Sequence, residues 1–153
     1  LEHLSSLFRD GGVGKRYLCL LNGRMPEDRI DVEAPLSRVH GEKNRKVVVD
    51  ASGKAARTRF HRLESYRDSS YAEAELFTGR THQIRVHAQH IGQPRAGDDK
   101  YAEKEANRRW RAQGLKRLFL HAHMVSLPLP DGEVLEVTAP LPEELRGLLS
   151  ALQ

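Results

Sequence analysis

Thr78-Gly79-Arg80-Thr81-His82-Gln83-Ile84-Arg85-Val86-His87-Ala88-Gln89-His90-Ile91 packs two arginines, three histidines and a glycine turn into one short segment. Ile84, Ala88 and Ile91 recur at helical spacing and predict a helix with one core-facing stripe. Thr81 is placed to cap its first turn, and Gly92 with Pro94 ends it. Arg80 then stands at the helix entrance, where free backbone N–H groups and the helix dipole favour an anion. A phosphate is a natural ligand at such a place.

Working outward, residues 58–66 and 71–77 alternate as two strands, joined by a turn at Arg67-Asp68-Ser69-Ser70, so a hairpin delivers the chain to this helix. Residues 15–21 read as a strand and Val47–Val49 as a short one, while residues 24–45, polar and carrying Pro26 and Pro35, read as irregular. Leu1, Leu4 and Phe8 keep helical spacing up to Gly11 and Gly12. Beyond Pro94 come a charged loop, a basic helical segment, a strand over residues 118–127, and a turn at Asp131-Gly132 into Val134–Thr138. Pro142 opens a last helix whose Leu145, Leu148, Leu149 and Leu152 share a face. There is no internal repeat. This order of elements predicts an α+β fold, a mixed, largely antiparallel sheet with flanking helices.

A chain of 153 residues is one domain's worth and long enough for a proper core. It shows neither a bilayer-spanning apolar stretch nor the progression of a signal peptide, so a cytoplasmic protein without membrane contact is expected. Cys19 is the sole cysteine, and its apolar surroundings mark it as a buried structural thiol. The formal charge of +4 suits a polyanionic partner without demanding one. Clustering says more: Lys104, Arg108, Arg109, Arg111, Lys116 and Arg117 stand against Glu105 alone, with Trp110 among them. Such a segment can neutralise phosphates while the indole stacks on an unpaired base; it can equally be a solvated helix face with Trp110 turned into the core.

The run Gly79-Arg80-Thr81-His82-Gln83-Ile84-Arg85-Val86-His87 resembles the signature of the RluA/RluC family of pseudouridine synthases. The resemblance extends to Lys15-Arg16-Tyr17-Leu18, Gly97-Asp98-Asp99-Lys100-Tyr101 and Leu118-Phe119-Leu120-His121-Ala122, in matching order, and Gly114-Leu115-Lys116-Arg117-Leu118-Phe119-Leu120-His121 points to the RluC branch. Members of that family carry a nucleophilic aspartate in a His-Arg-Leu-Asp segment roughly thirty residues before the tyrosine that Tyr17 resembles. Only sixteen residues precede Tyr17 here, so residues 1–153 read as the C-terminal portion of a catalytic domain, the nucleophile coming from an upstream segment. Asp10 reads as a loop residue. His61-Arg62-Leu63-Glu64 imitates the missing motif, but it lies downstream of Tyr17, carries the longer carboxylate, and reads as an ordinary strand.

The resemblance implies isomerisation of uridines to pseudouridine in large-subunit ribosomal RNA. Arg85 aligns with the arginine that pairs with the nucleophile; without the resemblance, an arginine there would serve a structural ion pair. Tyr17 aligns with the tyrosine that lies against the target base. Leu118 and Leu120 are expected to wall the uracil pocket, and Arg80, Thr81, His82, Gln83, Lys100, Arg108, Arg109 and Arg111 to bind the flipped nucleotide or nearby phosphates. Asp98 and Asp99 fit either a family loop near the site or a plain turn. Ala102 stands where relatives commonly have glycine, which puts a left-handed backbone there in doubt. No cofactor is expected, and His82, His87, His90, His121 and His123 have poor spacing for a metal. The competing reading is an RNA-binding module without chemistry.

Overall fold

The computed structural model describes residues 14–39 and 46–153. The opening helix expected around Leu1, Leu4 and Phe8, and the loop at Asp10, lie outside the described residues. Eight strands and three helices follow in the order β1 (Gly14–Asn22), β2 (Arg29–Glu33), β3 (Leu36–Arg38), β4 (Val47–Val49), β5 (Arg57–Ser65), β6 (Ser69–Leu76), α1 (Gln83–His90), α2 (Lys104–Ala112), β7 (Leu120–Pro128), β8 (Val134–Thr138) and α3 (Glu143–Leu152). Six strands form one sheet in the order β2-β5-β6-β1-β7-β8, every neighbour antiparallel, and β3 pairs with β4 apart from it. The expected α+β class holds.

Strand alternation gives the sheet two different faces. Cys19 and Leu21 of β1 join Phe60, Ala72 and Ala74 beneath Ile84 and Ala88 of α1. Leu18 and Leu20 point the other way, into a core closed by Trp110, Phe119, Leu145 and Leu148 from α2, the approach to β7, and α3. Cys19 is wholly buried, its Sγ 3.6 Å from the Ala72 carbonyl, and burial pushes its thiol up to about 12. It is structural, as expected.

Three expectations need correction or resolution. Residues 24–45 are not irregular throughout: β2 pairs with β5 and β3 with β4, because Ile30 and Val32 alternate with charged neighbours and Val32 reaches the core. Trp110 is only 6% exposed and its indole N–H donates to Asn22 Oδ1 at 2.7 Å, so it closes the core and is not presented to a base. Among the described residues His82 alone among non-glycines has positive φ, so Ala102 imposes no left-handed backbone. The His61-Arg62-Leu63-Glu64 segment is strand, as read, with a bulge between Arg62 and Glu64.

Candidate active site

The approach to α1 is held by one amide. Gln83 is 2% exposed; its Oε1 accepts from the Thr78 hydroxyl at 2.6 Å and the Arg80 N–H at 3.1 Å. Its Nε2 donates to the Arg57 carbonyl and the Thr58 hydroxyl. Gln83 is therefore buried and occupied in shaping the turn. Thr81 does not cap the helix either: α1 has His82 at its N-cap with φ 54°, no side-chain cap bond forms, and Thr81 Oγ1 instead accepts from Arg38 at 3.1 Å. A cap side chain needs extended backbone at its own position to reach the first-turn N–H groups, and the left-handed turn falls at His82 instead.

His82 uses Nδ1 on the Tyr101 hydroxyl at 2.9 Å. That hydroxyl also accepts from the Val47 N–H at 2.9 Å, so Tyr101 links His82 to β4. Burial, then the charge of Arg85, lowers the His82 pKa and favours the neutral imidazole. His87 is wholly buried between the Thr58 hydroxyl and the Ala34 carbonyl, at 2.8 and 2.9 Å, and burial lowers its pKa also. It ties α1 to β5 and the segment after β2.

Arg85 is the centre of the site. Its Nε and Nη2 fork onto the two oxygens of Asp98, at 2.9 and 2.7 Å. Asp98 is wholly buried and also accepts the N–H groups of Lys100 and Tyr101 at 3.1 Å each. Burial alone would raise its pKa, but Arg85's hydrogen bonds and charge with the two N–H groups outweigh it and lower the pKa. The fork uses two of the five guanidinium N–H bonds, so the Nη1 edge remains for a second acceptor. The loop can bring Asp98 so close because Gly97 has φ +82°, and a Cβ there would lie 2.3 Å from the Arg117 carbonyl. Asp98 thus sits in a turn, as one of its two readings had it, and in that turn it holds Arg85.

Tyr17 lies partly buried against the α1 face, opposite Ala74 on one side and Ala122 on the other, so both cross-strand neighbours are small. Leu120 packs against the same cluster. Arg85, Asp99, Arg111, Lys116 and Leu118 line one cleft of about 330 Å³. Arg80 and Thr81 line another, of about 570 Å³, together with Arg38 and Lys54. Arg109 lines a third, Arg108 is exposed on α2, and Lys100 is exposed beside Asp98. The fold thus brings Arg85, Arg111 and Leu118 together while dispersing the other expected contacts. It also adds one residue not foreseen, Arg95, wholly buried and within electrostatic reach of Tyr17, Cys19, Arg85 and Asp98. Its signal was lost in a loop whose burial depends on distant strands.

The features that bear on function are thus Arg85 forked onto Asp98 in the first turn of α1, Tyr17 between two alanines on β1, and a cleft lined by Arg85, Arg111 and Lys116. The model of the RNA pseudouridylate synthase family matches residues 1–90, and the chain belongs to that family. Within it the chain is RluC-like: it is 39% identical over 155 residues to ribosomal large subunit pseudouridine synthase C of Pasteurella multocida, covering 100% of this chain and 48% of that one. The Escherichia coli protein of the same name is 38% identical over 157 residues, covering 100% and 49%. The chain spans about half the length of these relatives. Among solved structures, human RNA pseudouridylate synthase domain containing 1 superposes with a TM-score of 0.78 at 27% identity, covering 99% of this chain and 70% of that one.

Proposed function

We propose that these residues form the C-terminal catalytic portion of an enzyme that isomerises specific uridines to pseudouridine in large-subunit ribosomal RNA, the nucleophilic aspartate coming from an upstream segment. The carrying observation is the Arg85 fork on a fully buried Asp98. A guanidinium gripped along one edge is fixed in orientation and offers its other edge to a second carboxylate, which it would keep ionised.

In this reading the upstream carboxylate supports cleavage of the bond between N1 of uracil and C1′ of ribose. The freed base turns and bonds to C1′ through C5, the C5 proton passes to a base in the site, and N1, left with the electron pair of the broken bond, takes up a proton. Tyr17 lies against the ring, its alanine neighbours leaving room for the base, and Leu118 closes the cleft from the apolar side. Arg111 and Lys116 on this cleft, and Arg80 with Lys54 on the larger one, would draw in the RNA backbone through phosphate neutralisation.

The test is tritium release from C5-labelled uridine in ribosomal RNA, comparing this chain with the same chain extended by its native upstream sequence. Release by the extended form alone is expected. In that form Arg85→Lys loses the fork and is expected to cost activity about 100-fold while ribosomal RNA affinity changes by about threefold or less. Equal loss of both would favour an RNA-binding module instead.

A further inference from the structure

Tyr101 is 3% exposed yet belongs to neither core of the six-stranded sheet: it packs with Leu36, Val47, Ala56 and Val86 in a small cluster between the β3–β4 hairpin and α1. Each polar or aromatic part of it is engaged. Its N–H donates to Asp98 Oδ1 at 3.1 Å, and the Arg85 guanidinium lies over its ring, with Cζ 5.2 Å from the ring centroid. At that distance the cation is drawn to the ring face. Its hydroxyl accepts from the Val47 N–H and bonds His82 Nδ1, each at 2.9 Å, and the Tyr101 and His82 rings meet edge-on. Burial raises its pKa, so the group is a neutral hydroxyl at physiological pH.

These contacts fall into two sets. The ring and the N–H serve Arg85 from two directions: Asp98 grips the guanidinium along its edge, and the ring supports its face. A fork alone leaves the guanidinium plane free to rock about the line joining the two groups, and a face contact removes that freedom. The hydroxyl serves the larger cleft. Val47 pairs with Arg38 in the hairpin, and both line that cleft with Lys54, Arg80 and Thr81. Strands β3 and β4 stand apart from the main sheet, so the hydroxyl is a tie between this wall and α1. At the α1 end of the tie is His82, held at φ 54°. A glycine would take that conformation without strain, whereas a histidine needs contacts that hold it there, and the Tyr101 hydroxyl supplies one to its ring.

Resting on the function proposed above, we infer that Tyr101 is a positioning residue with two separable parts: its ring orients Arg85 for the reaction, and its hydroxyl holds His82 and the hairpin wall of the larger cleft in place to receive the RNA strand. The ring then bears on the chemical step and the hydroxyl on binding.

The experiment uses the chain extended by its native upstream sequence and follows tritium release from C5-labelled ribosomal RNA over a range of RNA concentrations, well below the melting temperature of every variant. Tyr101→Phe keeps the ring and is expected to raise KM about tenfold with kcat within about threefold. Tyr101→Leu loses both parts and is expected to show the same rise in KM with kcat lower by about 30-fold or more. His82→Ala added to Tyr101→Phe is expected to raise KM by less than about twofold further, because the two side chains act as one unit. A purely structural tyrosine would instead lower the melting temperature and leave both kinetic parameters of the folded enzyme unchanged. That result overturns the inference, as does a kcat in Tyr101→Leu equal to that of Tyr101→Phe, or effects of His82→Ala and Tyr101→Phe on KM that simply multiply. Should Tyr101→Leu not fold, the other two variants decide: a preserved kcat with coupled effects on KM supports the inference, and a loss of about tenfold or more in kcat in Tyr101→Phe, where the ring remains, sinks it. An unsubstituted extended chain that releases no tritium fails the functional reading, whereas release together with any of the overturning results fails this inference alone.

Discussion

At the scale of single residues, Asp98 ties more of the site together than any other side chain. It orients Arg85, fixes the backbone of Lys100 and Tyr101, and through its carbonyl accepts from Asn107 Nδ2 at 2.9 Å. Asp98→Asn leaves the Arg85 charge without its counterion, a change expected to cost about 3 kcal/mol and several degrees of melting temperature. Because the folded carboxyl titrates below its ordinary value of 3.8, its contribution is complete above that value and fades as pH falls through the folded one. Stability of the unsubstituted chain is therefore expected to drop steeply below about pH 4, and Asp98→Asn to lose that segment of the curve, read by thermal melts across pH. His87 works with the opposite chemistry. Its folded pKa lies below the ordinary 6.5, so the unfolded chain binds the proton more readily, and stability declines as pH falls below that value. His87→Gln is expected to flatten the melting-temperature curve between about pH 6.5 and 5. A curve of unchanged slope would show that the ring is protonated without cost.

At the scale of elements, the backbone at Gly97 decides whether the Asp98 loop can close. Gly97→Ala puts a methyl group against the Arg117 carbonyl and forces a side chain into φ +82°, so a loss of about 3 kcal/mol is expected, with Arg85 mobility rising in step. Unfolding in urea checks it, and a midpoint unchanged from the parent would mean the loop has slack that the close approach denies. The helix α1 and the hairpin of β5 and β6 were legible because their apolar residues recur at fixed spacing, whatever lies around them. Strand β2 was missed although Arg29-Ile30-Asp31-Val32-Glu33 alternates cleanly, because Pro26 and Pro35 on either side suggested a loop and two apolar residues are a thin signal. The cap of α1 was misassigned because Thr81 has the right chemistry but the wrong backbone, a distinction no residue type records. Arg95 was beyond reach from sequence for a related reason. Its burial comes from a bridge to Leu21, seventy-four positions earlier, and an arginine between proline and alanine carries no mark of that.

At the scale of the whole molecule, the two edges of the six-stranded sheet are unlike. Edge strand β2 presents Arg29, Asp31 and Glu33 to solvent, and charged side chains discourage another chain from pairing there. Edge strand β8 presents Val134, Leu135 and Val137, at 61%, 45% and 54% exposure, with Glu136 the sole charge among its five residues. An open strand with exposed apolar side chains and free ladder groups is a template for association. The chain on its own is therefore expected to self-associate with rising concentration, and Val137→Lys, which puts a charge on that edge, to shift it toward the monomer. Sedimentation velocity over about a hundredfold range of concentration separates the outcomes, since edge-to-edge pairing of even modest affinity shows within it. A monomer at every concentration in the parent chain would mean that the twist of β8 against β7 already spoils the template. Association unaffected by Val137→Lys would move the contact to another surface, and the charged edge at β2 would be the least suited to provide it.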